Sequence, residues 1–189
     1  DCGTQSFEAF ETAAAVGLDV VAFDHHQAGE ALPRTAALVN PNRQDDLSGL
    51  GHLCAAGVTF LGVVALNREL RRRGWYGEGR PQPDLMALLD LVALGTVCDV
   101  VPLKGLNRAF VVRGLDVMRA RANRGIAALC DVVRLSGPVS AYHLGFLIGP
   151  RINAGGRIGD AALGARMIAT IEKPGKVPIV TADVEGFAA

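Results

Sequence analysis

The residues best suited to chemistry stand together early in the chain. Asp24, His25 and His26 follow directly on Asp19–Phe23, the short apolar run DVVAF. Its β-branched composition fits a strand buried on both faces of a parallel sheet. In open α/β sheets, ligands lie just beyond the carboxyl ends of the strands. A carboxylate with two imidazoles there suits manganese, zinc or iron, and added carboxylates shift the balance toward manganese or magnesium. The plainer reading is a turn aspartate followed by two exposed histidines, and the tripeptide alone does not separate the two. Two further carboxylates bear on the choice. Asp1, in Asp1-Cys2-Gly3-Thr4, reads as the exit of another strand, and Asp99 is flanked by Val97-Cys98 and Val100-Val101-Pro102. A carboxylate among apolar neighbours needs a partner, because burying it bare is unfavourable. That partner is either a metal or a helix N-terminal amide. Asp1, His25 and Asp99 could converge on one ion.

A third feature is the glycine-rich string GPRINAGGRIGD, from Gly149 to Asp160. Small residues let backbone approach a ligand closely. Arg151, Asn153 and Arg157 among them could grip phosphate or carboxylate oxygens, and a glycine-rich loop ahead of a helix is an anion site in its own right. An interdomain hinge with helix-capping arginines fits the same letters. His52 and His143, at the start of one apolar helix and inside another, read as structural.

The elements that must position these groups follow from periodicity and breakers. Phe7, Phe10, Ala14 and Ala15 have helical spacing, closed by Gly17. Ala37–Val39 is a second strand, ended by Asn40-Pro41-Asn42. A long helix is expected from Leu53 to about Arg73, then a Gly/Pro loop over 75–83. Asp84 is placed to cap a helix through Leu85, Leu88, Leu89 and Leu91. Further helices are expected over 105–120 and 125–133, and from Ser140 through Leu147. Gly149-Pro150 should break that last helix and open a loop from Arg151 to Gly159, with one more helix from Asp160 to about Ala169. Strands alternating with helices indicate an α/β fold with a parallel sheet, followed by a helical segment.

Composition narrows the partners. The formal charge of the 189 residues is zero, with 19 basic and 19 acidic side chains, so no global basic footprint points to nucleic acid. Local clusters remain, at Arg71, Arg72, Arg73 and at Arg113, Arg119, Arg121, Arg124, and these read first as solvated helix faces. Cys2, Cys54, Cys98 and Cys130 form no C-x-x-C pair, which argues against a zinc ribbon and suits reduced thiols in the cytoplasm. No apolar run reaches the roughly 20 residues of a membrane span, since Asp90, Asp99 and Pro102 interrupt the nearest one.

Taken in order, DVVAFDHH, NPN, LCAAGV, LGTVCDVVPLKGLNR and GPRINAGGRIGDA resemble the DHH phosphoesterase family, on the branch of the RecJ-type single-stranded-DNA exonucleases. DCGT resembles the family motif whose aspartate bridges two metals. The resemblance covers about residues 1 to 168. It implies a two-metal hydrolase, using Mn2+ or Mg2+, that removes nucleotides from the 5′ end of single-stranded DNA in recombination and repair. It implies Asp1 as the bridging carboxylate, with His25 and Asp99 completing one metal's shell. Asp24 and His26 would be catalytic residues beside the metal or scissile phosphate, and Arg151, Asn153 and Arg157 would hold DNA phosphates. Asn107 and Arg108 match a family string without an assigned chemistry. The expected organisation is a partial DHH core over 1–135, a helical connector leading into a second domain over 136–170, and an atypical tail over 171–189. The family's D-x-D-G motif would lie upstream of DCGT, so the chain is expected to be truncated and itself inactive. A single-strand-binding protein and a helicase are the expected partners beyond DNA. The competing expectations are a DHH phosphodiesterase acting on short oligonucleotides or cyclic dinucleotides, and a non-catalytic DHH module.

Overall fold

The computed structural model describes residues 2–155 and 162–169. The chain divides into two compact units, Asp1–Met86 with Val101–Arg108, and Ala87–Val100 with Ala109–Ala189. Residues 171–189, expected to be an atypical tail, lie outside the described residues.

The first unit contains α1 (Phe7–Ala15), β1 (Val21–Phe23), β2 (Ala37–Val39) and α2 (Ala55–Arg72). The two strands are parallel, with Val21 opposite Ala37, Ala22 opposite Leu38 and Phe23 opposite Val39. Parallel neighbours need a long return, and residues 24–36 supply it, so the loops leaving both strands emerge on one edge. Only Ala22 of β1 is buried and Val21 is more than half exposed. The expectation of a strand buried on both faces is therefore corrected: β-branched residues mark the strand, but among the described residues nothing covers Val21. Two glycines bring the layers together. Gly3, at φ +130°, lies where a Cβ would press on Ala22 and Phe10. Gly62 on α2 leaves room for the Phe23 ring, which a Cβ there would strike. Helix α2 starts two residues after the expected Leu53, with the Cys54 thiol accepting from Gly57 N at 3.4 Å. Its closing arginines are solvated as expected: Arg72 and Arg73 both reach Glu69, and Arg71 reaches Gln82.

The second unit is helical; residues 84–86 and 101–108, which flank its first helix in sequence, belong to the first. Asp84 Oδ1 accepts from Met86 N at 3.0 Å, so the predicted cap forms, although it opens a 3-10 turn (Leu85–Leu88) ahead of α3 (Leu89–Cys98). Then come α4 (Gly105–Arg119), α5 (Arg124–Val132), α6 (Ala141–His143), α7 (Gly149–Gly155) and α8 (Leu163–Ile168). Ala93, Val111, Ile126, Leu129, Leu144 and Ile148 lie at the centre of its apolar core. Gly114 of α4 sits where a Cβ would strike the Leu89 carbonyl, which lets the α3 and α4 backbones touch. No helix among the described residues is long and apolar enough to cross a membrane.

One prediction fails here. Gly149-Pro150 does not break the chain into a loop: α6 passes into a π-helical turn at Leu144–Ile148 and on into α7. Proline lacks the N–H for an i−4 bond and its ring crowds the i−4 carbonyl. The wider π turn opens the ladder just before Pro150 and so relieves both problems. Gly149 is needed for a different reason: a Cβ there would collide with the Cys98 thiol. Arg151 and Asn153 thus stand on a helix. Residues 156–161, including Arg157, lie outside the described residues.

Candidate functional site

The carboxyl end of β1 turns the sequence Asp24-His25-His26 into a specific arrangement. Asp24 N still donates to Val39 O at 3.0 Å, extending the strand pairing by one bond. The chain then bends, and the Asp24 carboxylate folds inward to 1% exposure. Oδ2 accepts from Thr4 N at 2.8 Å. Oδ1 accepts from His25 N at 2.7 Å, His26 N at 3.2 Å and His26 Nδ1 at 2.7 Å. Burial would raise this carboxyl's pKa, but hydrogen bonds from Thr4 and His26 outweigh it and hold the group far below the usual carboxylate range. An ionised carboxylate only accepts, so the proton between the two groups belongs to His26 Nδ1. That leaves Nε2 as the outward-facing nitrogen of a ring whose side chain is 60% exposed. Asp24 is spent on orientation, and His26 is the member of the pair that solvent or a ligand can meet.

Thr4 and Asn40 complete this buried cluster. Asn40 Nδ2 donates to Thr4 Oγ1 at 2.7 Å and to the His26 carbonyl at 2.8 Å, and its Oδ1 accepts from Asn42 N at 2.8 Å. The sequence reading gave neither residue a role. For Asn40 the available signal was position, since it follows β2 as Asp24 follows β1. His25 is half-buried, its ring centroid 4.6 Å from that of His26.

Asp99 is not buried among apolar groups, which corrects the expectation. It is exposed and caps the C-terminus of α3, its N–H donating to Gly95 O at 3.0 Å. The next residue, Val100, has φ 57° and is 87% exposed. A β-branched residue in the left-handed region is strained, and its own packing does not hold it there. Strain of this kind gathers at functional sites.

In the second unit Arg151 is half-buried, with Nη1 donating to Leu147 O at 2.8 Å and Nε buried without a partner among the described residues. Asn153 is exposed on α7. Ahead of them Tyr142 and Phe146 form an exposed stacked pair with centroids 5.0 Å apart. His143 is structural as expected, its Nδ1 accepting from Ser140 N at 3.0 Å. His52 differs from that: among the described residues its buried Nε2 has no partner.

Asp1 lies outside the described residues. Among those described, no group of three His, Cys, Asp or Glu side chains is assembled to hold a metal. His25 belongs to the first unit and Asp99 to the second. The donor types nonetheless fit a hard or borderline divalent cation.

Residues 1–96 match the DHH family, N-terminal domain. The chain therefore belongs to the DHH family. Within it the likeness is to RecJ: the chain is 43% identical over 171 residues to the single-stranded-DNA-specific exonuclease RecJ of Dickeya dadantii, covering 89% of this chain and 30% of that protein. Identity to RecJ of Escherichia coli is 41%, with the same coverage of both chains. The structure of Thermus thermophilus RecJ in complex with Mn2+ superposes with a TM-score of 0.75 at 34% identity, covering 91% of this chain and 24% of that one. The chain is thus a RecJ-type member with an α/β DHH core, and it spans less than a third of the curated relatives it matches.

Proposed function

We propose that this chain is part of a metal-dependent nuclease that hydrolyses single-stranded DNA from its 5′ end, working in recombination and repair in the cytoplasm. The observation that carries the reading is the Asp24–His26 pair at the end of β1, where a buried carboxylate fixes an exposed imidazole by a 2.7 Å bond. The names of the relatives support the substrate, and the manganese in a similar structure supports the cofactor. His25 and Asp99, with Asp1, would hold Mn2+ or Mg2+. When bound, a pair of such ions lowers the pKa of a water and offsets charge on the leaving oxygen. The chain's own residues do the rest. Asp24 keeps His26 in one tautomer, so that Nε2 can accept or return a proton beside the scissile phosphate. Arg151, Asn153 and Arg157 would grip flanking phosphates, Arg151 with the unpartnered Nε noted above. We keep the division into a DHH core over 1–135, a connector over 136–170 and a separate tail over 171–189 as part of this proposal. A single-strand-binding protein and a helicase remain the proposed partners.

The test is release of nucleotides from 5′-labelled single-stranded DNA by the protein encoded by the complete gene, with and without Mn2+. His25→Ala and Asp99→Ala should each abolish metal-dependent release, and His26→Ala should reduce it by about 10²–10⁴-fold. Full activity in the His25 and Asp99 variants would end the reading.

A further inference from the structure

The loops around the candidate site are fastened by side-chain amides, and the fastenings connect. Asn42 Nδ2 donates to the His25 carbonyl at 2.6 Å and to the Gly51 carbonyl at 3.1 Å. The next carbonyl, His52 O, is taken at 2.7 Å by Asn107 Nδ2, which also donates to Pro102 O at 3.0 Å. Asn40 grips the His26 carbonyl from the other side. Three asparagines thus hold five backbone carbonyls, and the path runs from the loop of His25 and His26, through Asn42, to residues 51–52, and through Asn107 to Pro102. All of these residues lie in the first unit. Pro102 stands three residues after Asp99 in sequence.

Two details show that the path is built. Asn107 is completely buried, and turning its amide over would set an oxygen against two carbonyl oxygens, so its orientation is fixed. It keeps this position although its own buried Oδ1 has no partner among the described residues, an arrangement that is unfavourable by itself. Gly51 is exposed, yet a Cβ there would strike Asn42 Oδ1. Glycine at 51 is therefore what lets Asn42 reach its second carbonyl.

We propose that Asn42 and Asn107 are positioning residues that act in series, carrying the placement of the His25 backbone to the turn that follows Asp99. They touch neither substrate nor metal. The metal side of this proposal rests on the function proposed above, and the mechanical side does not.

The test separates the two. Hydrogen exchange in the chain is measured by mass spectrometry on peptides covering residues 25–28, in the wild type and in Asn42→Ala, Asn107→Ala and the double variant. Mn2+ binding is followed in parallel by electron paramagnetic resonance. A series path predicts that Asn107→Ala speeds exchange at residues 25–28 by about tenfold, although position 107 does not touch them. The double variant should be no faster there than Asn42→Ala alone, because either break frees the same loop. Mn2+ affinity should fall in step. Exchange confined to residues 50–54 and 101–107 in Asn107→Ala, or effects of the two variants that multiply, would overturn the proposal. Should Asn107→Ala fail to fold, Gly51→Ala carries the test, since it blocks Asn42 from the far side. It must reproduce the exchange of Asn42→Ala, and wild-type exchange in it would overturn the series path. If the wild type binds no Mn2+ while the exchange pattern holds, the metal reading falls and the positioning role stands.

Discussion

Replacing Asp24 by asparagine should unfold the first unit far more readily than its single-atom difference suggests. The wild-type carboxylate receives Thr4 N on one oxygen and His25 N, His26 N and His26 Nδ1 on the other. Asparagine can keep Oδ1 toward the three donors of the turn. Its NH2 group then faces Thr4 N–H, donor against donor, in a place where Thr4 is buried. Leaving a buried N–H unsatisfied costs about 1–3 kcal/mol, and three charge-assisted bonds become neutral ones at a further fraction of a kcal/mol to one each. The sum is about 2–5 kcal/mol, a large share of the roughly 5–15 kcal/mol that holds a domain together. The pH dependence carries a sign. The folded-state pKa of Asp24 is depressed, so its contribution is complete above the unfolded value of about 3.9 and is lost as pH falls through the folded value. Urea unfolding followed by circular dichroism at pH 7 should therefore show the full deficit in Asp24→Asn, and the gap to wild type should close below about pH 4. A variant within about 0.5 kcal/mol of wild type at pH 7, or a gap that widens on acidification, would refute the argument that this carboxylate anchors the turn.

Asp90 should behave in the opposite way. It is buried in the first turn of α3, and burial raises its pKa against the opposing hydrogen bond from Leu91 N. Asp90→Asn keeps that acceptor, so it should be about 1 kcal/mol more stable at neutral pH, with the gain fading as pH falls through the raised folded value; thermal melts at pH 7 and pH 4 would read this. Val100→Gly removes a left-handed β-branched residue and should raise stability by about 1 kcal/mol or leave it level, and a clear loss in the same melts would mean that the Val100 side chain itself is needed. Tyr142→Ala and Phe146→Ala, in the protein from the complete gene, should raise KM for single-stranded DNA by about tenfold, since base stacking is worth about 1–3 kcal/mol per aromatic; equal KM values in steady-state digestion would remove these rings from the substrate path.

The strands, the long α2 helix and most helix boundaries were legible because they depend on local pattern. Apolar runs ended by glycine or polar turns, and Asp84 and Ser140 standing at caps, are short-range signals. The site was legible in its letters and less so in its geometry. Asp24 looked catalytic because aspartate is reactive, but whether its oxygens face a metal or the protein depends on Thr4 and Asn40, distant in sequence. Asp99 looked buried because its neighbours are apolar. Its helix stops at Cys98 and the strained Val100 turns the chain outward, which neighbour composition does not encode. The continuation of the helix through Pro150 was missed for a related reason. Proline forbids one particular hydrogen bond, and a π turn can arrange that the bond is not required.

At the end of β1 the negative charge is already neutralised by protein: Asp24 is saturated with donors, and what it offers outward is an oriented imidazole. That pair forms without a cation, so the His26 ring should keep its orientation whether or not metal is present. The same loop is fastened a second time through its backbone, because Asn40 holds the His26 carbonyl and Asn42 the His25 carbonyl. Asn107 then connects residues 52 and 102, so one series of side-chain amides within the first unit sets the placement of the two histidines and of Pro102 together.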